Sequence, residues 1–206
     1  MSRGDKSAWD QTTHAGKTIT VPHEMIHCGD AFHCHYVVAV SDTDFRTAIT
    51  FQTPNTTKWA HMVASVHATD AAVAYLYEAV IIDGGTAGEP VAVTIYNRNR
   101  NSTETSGFIS QHATPVTGGA SGWTEALLQD AAAAGDANWA KGTAKELDRF
   151  PLGGGTNPVQ SIGGTERGQE EWLLDQNTVY MVMIQSSNAN DNTHVIRLDW
   201  YEHTNL

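Results

Sequence analysis

The chain has 206 residues, with 12 Lys and Arg against 23 Asp and Glu, and a formal charge of −11 at pH 7. That balance argues against DNA, RNA or an anionic membrane surface as a partner, since all three are held mainly by Lys and Arg. No apolar run approaches the roughly 20 residues of a membrane helix, and the polar stretch 1–17 contains no apolar signal segment.

A chain of this mass has a folded surface of about 9,400 Å² against about 32,000 Å² when extended, so it can fold without disulfides or a structural metal. Cys28 and Cys34 are the only cysteines and form no C-x-x-C pair, which excludes a disulfide framework and suits a reducing compartment. Charged residues make up 17%, with 18 Gly and 24 Thr. Few charges and much Thr and Gly favour strands with polar, uncharged surfaces.

Residues 1–20 read as an N-terminal arm, with Trp9 a candidate anchor on a neighbouring subunit. Arg3-Gly4-Asp5 matches an integrin-binding tripeptide, but without a secretion signal it reads as polar tail. Residues 21–206 read as one β-sandwich domain. From about residue 24 the chain shows short alternating runs. Phe32, Cys34, Tyr36, Val38 and Val40 share one face of 31–40, with His33 and His35 on the other. Phe45, Ile49 and Phe51 point inward from 45–52. Met62, Ala64 and Val66 oppose His61, Ser65 and His67. The run 72–80 is apolar, 91–97 places Val91, Val93 and Ile95 together, and 108–116 is a weaker strand.

Near the end, 178–185 and 193–201 flank the turn 188–192 and read as a hairpin, with Ile196, Leu198 and Trp200 inward. About eight to ten strands at spacings of roughly 10–15 residues predict an all-β antiparallel sandwich or jelly roll. Residues 119–168 read as an insertion. Its helical part, about 119–150, has one helix predicted over 123–134 and a short second one over 140–147.

The densest group of chemically capable residues is His23, His27, Cys28, His33, Cys34 and His35. Alternation sends Cys34 away from His33 and His35, and 36–40 lacks the carboxylate a cupin-like metal site needs. His33 and His35 therefore read as hydrogen-bonding residues of a sheet face, and remain the candidate pair if a metal is bound at all. There is no G-x-S-x-G elbow, and the Gly runs 118–122, 153–155 and 163–164 lack a phosphate-binding signature. Glu78 sits in an apolar run, where the simplest reading is a strand-end carboxylate paired with Arg or Lys. No catalytic residue and no cofactor is assigned. Asn97-Arg-Asn-Arg-Asn101 is the one local basic cluster, and Arg98 and Arg100 are candidates to grip carboxylates across a subunit contact.

The strings Ile26-His-Cys-Gly-Asp-Ala-Phe-His33, Thr53-Pro-Asn-Thr-Thr-Lys-Trp-Ala-His61, Ala74-Tyr-Leu-Tyr-Glu78, Tyr96-Asn-Arg-Asn-Arg-Asn-Ser102, Glu171-Trp-Leu-Leu174 and Leu198-Asp-Trp-Tyr-Glu202 stand in an order that resembles small tailed-bacteriophage virion structural proteins. The resemblance spans 24–118 and 165–202 and leaves out the Ala-rich 119–150 segment. It implies a non-enzymatic capsid decoration or cement protein. Such a protein would form a homotrimeric β-sandwich on the assembled head, its partners the major capsid protein and further copies of itself, and its location the virion surface. Two other readings stay open. One is a tail, baseplate or fibre module binding a receptor or carbohydrate, with Trp123, Trp139 and Trp172 as a stacking platform. The other is a metal-dependent jelly-roll enzyme using the histidines of 23–35.

Overall fold

The computed structural model describes residues 8–9, 16–17, 21–40, 46–82, 90–113, 139–140, 144–152, 159–162, 171–188 and 190–204. In chain order they form β1 (Ala8–Trp9), β2 (Gly16–Lys17), α1 (Val21–Cys28), β3 (Ala31–Val40), β4 (Arg46–Gln52), β5 (Lys58–Ala68), β6 (Ala72–Glu78), β7 (Ile81–Ile82) and β8 (Pro90–Ala92). Then follow β9 (Tyr96–Asn97), β10 (Ile109–Ala113), β11 (Trp139–Ala140), β12 (Lys145–Leu152), β13 (Val159–Ile162), β14 (Trp172–Leu174), β15 (Val179–Ser186) and β16 (Asn192–Thr204).

Two antiparallel sheets face each other, as the alternation predicts. The first has the order β13-β5-β16-β3-β9, with β14 also on β5; the second has the order β12-β6-β15-β4-β10-β8. Between them lies one core. Phe32, Cys34, Met62, Ala64, Val66, Ile196, Leu198 and Trp200 enter it from the first sheet, and Ile49, Phe51, Leu76, Tyr180, Val182 and Ile184 from the second. Phe108 stacks on Trp200 at 4.8 Å and lies 6.1 Å from Phe51, bridging the layers. The other face of the second sheet also buries residues, among them Ala48, Tyr77, Met181 and Met183.

Several sequence expectations need correction. The last two long strands do not form a hairpin: β15 lies in the second sheet and β16 in the first. Their connection is an arch between the layers, and it is clamped to the β5–β6 arch. Asn192 Oδ1 accepts from Asp70 N at 2.9 Å and Thr69 Oγ1 at 3.2 Å, while Asn190 Nδ2 donates to Asp70 Oδ2 at 2.8 Å. The opposite end repeats the device. Thr53, after β4, donates from Oγ1 to Asp175 O at 2.6 Å and accepts from Thr178 N at 2.9 Å, before β15.

The run 91–97 is not one strand either. β8 belongs to the second sheet and β9 to the first, and Val91 is exposed rather than inward. The second short helix of 140–147 is overturned from Lys145 onward by β12, which pairs with β6 across Lys145↔Glu78 to Leu152↔Ala72. Pairing along a sheet edge outweighs the helix propensity of Lys-Glu-Leu. The helix predicted over 123–134, the Phe45 face assignment and the Gly runs 118–122, 153–155 and 163–164 lie outside the described residues.

The short alternating runs expected from about residue 24 begin only at Ala31, because Val21–Cys28 forms the helix α1. Pro22 lies in its first turn, Glu24 and His27 complement the dipole at its two ends, and Gly29 terminates it with φ +84°. A Cβ at Gly29 would meet Ser102 Oγ at 2.2 Å, so the position needs glycine on two counts.

Within the core, His194 is fully buried on β16 and spans the sheets. Its Nδ1 lies 2.9 Å from Thr47 Oγ1, and its Nε2 lies 3.1 Å from Ser186 Oγ. Burial pushes its pKa from 6.5 down to about 4. The unfolded chain therefore takes up a proton that the folded chain refuses, so this stabilisation is complete above pH 6.5 and is lost as pH falls through about 4.

The urea midpoint is expected to decline across that window, with roughly 3 kcal/mol traceable to this residue. His194→Leu should lower stability by about 1–3 kcal/mol at pH 7, because two buried hydroxyls lose their partner, and should flatten that part of the pH profile. A separate check of the arches is Thr53→Val, which keeps the side-chain shape and removes the hydroxyl; an expected loss of about 1–3 kcal/mol is measurable by the same urea titration.

Candidate functional site

The Arg and His candidates, more than sixty residues apart in sequence, meet at one edge of the first sheet. β9 pairs with the start of β3 through Phe32↔Asn97 and His33↔Tyr96. The asparagines of the basic string turn back onto backbone. Asn97 Nδ2 donates to Gly29 O at 2.7 Å and to Glu104 O at 3.0 Å, and Asn97 Oδ1 accepts from Asn99 N at 2.8 Å. Asn99 Nδ2 donates to His27 O at 3.0 Å, tying the loop to the end of α1. These contacts fix the loop from which Arg98 and Arg100 extend.

The organising ring is Tyr96, which is partly exposed. It stacks on His33 at 5.3 Å and on His35 at 6.3 Å, and the Arg100 guanidinium lies 5.8 Å from its centre. Beside it, Asp199 of β16 takes a bidentate grip from Arg197, at 2.7 Å from Nε and 2.9 Å from Nη2. Arg98 Nη1 approaches the same carboxylate at 4.0 Å. Three guanidinium groups and two imidazoles thus surround one carboxylate and one phenol, in a chain whose net charge is −11.

Burial lowers the His33 pKa from its ordinary 6.5; Asp199 opposes that shift, while Arg197, His35 and Arg98 add to it. Cys34 points the other way, into the core. Its Sγ lies 3.6 Å from Ser110 Oγ, and burial raises its pKa to about 11, so no thiolate faces the histidines. The His33 and His35 rings lie nearly parallel at 6.4 Å between centroids, stacked rather than convergent.

Beyond His33, no strand among the described residues pairs with this side of β3, and Val37 is 53% exposed. Next to that edge is an open depression lined by His35, Tyr36, Val93, Tyr96 and His112. Tyr36 and His112 stack there at 4.0 Å. Further along the same outer face, His61 Nδ1 lies 3.2 Å from Glu171 Oε2, which also accepts from Tyr201 OH at 3.0 Å. His61 in turn stacks on Tyr201 and His203 at 4.7 and 4.8 Å. Such a face groups planar cations and aromatic rings, and guanidinium groups are suited to gripping carboxylates.

Other candidates have different roles. Glu78 is the strand-end carboxylate expected: Lys145 Nζ lies 3.2 Å from Oε1, and Tyr180 OH donates to Oε2 at 3.2 Å. Trp172 is half-buried against the main core, as a packing residue. Trp9 and Trp139 are described through their backbones alone, which pair with Gly16 and Ile82, and Trp123 lies outside the described residues. The dense His and Cys group divides in two, with His23 and His27 on α1 and His33 and His35 on β3. Sequence reasoning missed Tyr96, Arg197 and Asp199. The signal was present in Arg197-x-Asp199, two opposite charges on one strand face.

No protein-family model matches the chain, and no curated protein matches it. No helix among the described residues is long and apolar enough to cross a membrane.

The electrostatic coupling within the cluster can be read directly. Because Asp199 raises the His33 pKa, Asp199→Asn is expected to move the His33 titration further below 6.5, followed by the imidazole proton shifts in NMR. An unchanged His33 titration would show that the carboxylate does not organise the cluster.

Proposed function

We propose that this chain is a non-enzymatic structural protein of a tailed-phage particle: a decoration protein that seats on the assembled head as a homotrimer and stabilises it. The observation that carries this reading is where the strings of the resemblance fall. Ile26–His33, Tyr96–Ser102 and Leu198–Glu202 contribute His33, Tyr96, Arg98, Arg100 and Asp199 to the edge cluster. Thr53–His61 and Glu171–Leu174 contribute the adjoining His61 and Glu171. Five of the six strings therefore place side chains on the outer side of the first sheet.

The mechanism is linkage. A protein that binds only the assembled shell stabilises that state by mass action. Arg98 and Arg100 face carboxylates of the major capsid protein, and Tyr96 supplies rigid contact area beside them. In a trimer each later contact is intramolecular, so small energies per site multiply. A loss of about 1 kcal/mol per copy becomes on the order of 100-fold in overall affinity for three copies.

The test counts copies of the chain per purified particle by quantitative mass spectrometry, with the mass of the free protein in solution alongside. Hundreds of copies and a trimeric mass are expected. In rebinding to stripped heads, an Arg98→Ala/Arg100→Ala variant should fall by at least tenfold in occupancy while its urea midpoint stays within about 1 kcal/mol of the parent, as for exposed ion pairs. A few tens of copies or fewer would move the protein to the tail or fibre apparatus. Absence from the particle would overturn the reading.

A further inference from the structure

The second half of the divided histidine group has a geometry that the edge cluster lacks. His23 and His27 stand four residues apart on α1, and so share a face. Their Nε2 atoms share a hydrogen bond at 3.0 Å, with ring centroids at 4.6 Å and the rings inclined at 65°, so a bound ion would take the place of the shared proton. Both side chains are exposed. An ion bound to two imidazoles at about 2.0–2.1 Å each, with a tetrahedral or square angle between them, separates the nitrogens by about 2.9–3.4 Å. The helix already holds them at that spacing. The stacked pair His33 and His35, with rings nearly parallel at 6.4 Å, does not converge in this way.

The local sequence is His23-Glu24-Met25-Ile26-His27. This is the H-E-x-x-H spacing with which a helix presents two histidines to zinc. The helix is well anchored despite its length. Met25 is buried with Ala31 and Tyr201, Asp30 N donates to Met25 O at 2.9 Å, and Asn99 Nδ2 donates to His27 O at 3.0 Å. The pair is thus held from beneath and from its C-terminal end, leaving its outer side to solvent. Among the described residues, no group of three His, Cys, Asp or Glu is placed to hold a metal. Two protein ligands leave the remaining coordination positions to water or to a donor from another molecule. That is an exchangeable site rather than a closed structural one.

We infer that His23 and His27 form a bidentate site for Zn2+ or a neighbouring late first-row divalent cation, bound through both Nε2 atoms. The pair is assigned binding and no catalytic step. In zinc hydrolases with this spacing the glutamate acts as a base on metal-bound water, but a third protein ligand completes those sites. The site uses none of the edge cluster's side chains and does not depend on the proposed role in a particle.

The experiment titrates the full chain, first stripped with a chelator, with ZnCl2 and separately with NiCl2 in a calorimeter. One ion per chain is expected. His23→Gln and His27→Gln should each weaken binding at least tenfold, because the chelate is broken, and His33→Gln/His35→Gln should leave it unchanged. Circular dichroism of each variant confirms that exposed substitutions leave the fold intact. In a parallel NMR titration with Ni2+, paramagnetic broadening should centre on His23 and His27. No binding at millimolar Zn2+ and Ni2+, or binding that both helix variants retain, would overturn the assignment. Loss only in the His33 and His35 variant would also overturn it, placing the ion on the strand instead.

Discussion

The sandwich depends on how its chain crosses between layers. Each passage from one sheet to the other takes backbone out of a ladder and leaves its N–H and C=O groups needing partners near the core. Here the crossings are grouped so that they satisfy one another. The β5–β6 and β15–β16 arches share Asp70 and Asn192 at one end, and the β4–β5 and β14–β15 connections share Thr53 at the other. Asn192 and Thr53 are both buried. The central strand β16 is fixed further by His194 near its start and by Glu202 near its end. Glu202 accepts from Trp200 Nε1 at 3.1 Å and Gly107 N at 3.2 Å, and bonds Ser106 Oγ as well. A one-residue slip of β16 would turn Trp200 outward and strip both polar anchors, so its register is strongly specified.

That register places the outer face. With Trp200 and Leu198 inward, Asp199 and Arg197 must point outward, opposite His33 and His35 across β3. With Met62 inward, His61 must meet Tyr201 on the outside. The polar anchors inside the core thus determine which charged and aromatic residues share the surface. In a chain with nearly twice as many acids as bases, Arg98 and Arg197 meet at one carboxylate and Arg100 lies over the neighbouring Tyr96 ring, which groups three of the chain's cations on one face. Grouped cations on an otherwise acidic molecule make its surface potential uneven.

Much of the fold was legible because burial imposes period two on strands. Phe32 and Cys34, Met62 and Val66, and Leu198 and Trp200 all face inward as the alternation requires. Alternation reports a face but not a partner. It cannot tell a hairpin from an arch, which is why β15 and β16 looked like neighbours, and it continued one strand through 91–97 where the chain changes sheets. The helix α1 carried its own signals in Pro22 and Gly29, but a single turn or two offers little periodicity to detect. At the surface, His33 and His35 and then Arg98 and Arg100 were each legible as chemically capable groups. Their meeting was not, because it rests on two residues of β9 pairing with β3, a long-range contact with no local signature.

Among the described residues, β3 has no paired neighbour beyond His33 on the side where β9 lies. An unpaired edge with an exposed valine invites non-specific strand addition, and sandwiches usually blunt such edges with charge, with bends or with short covering strands. Here, among the described residues, β9 covers the first residues of the edge, and the loop that follows it supplies the two arginines. A neutral or basic strand approaching β3 meets charges it cannot pair. An acidic extended segment finds guanidinium groups for its carboxylates and backbone groups for its own. The same short strand that closes part of the edge therefore selects what can complete it.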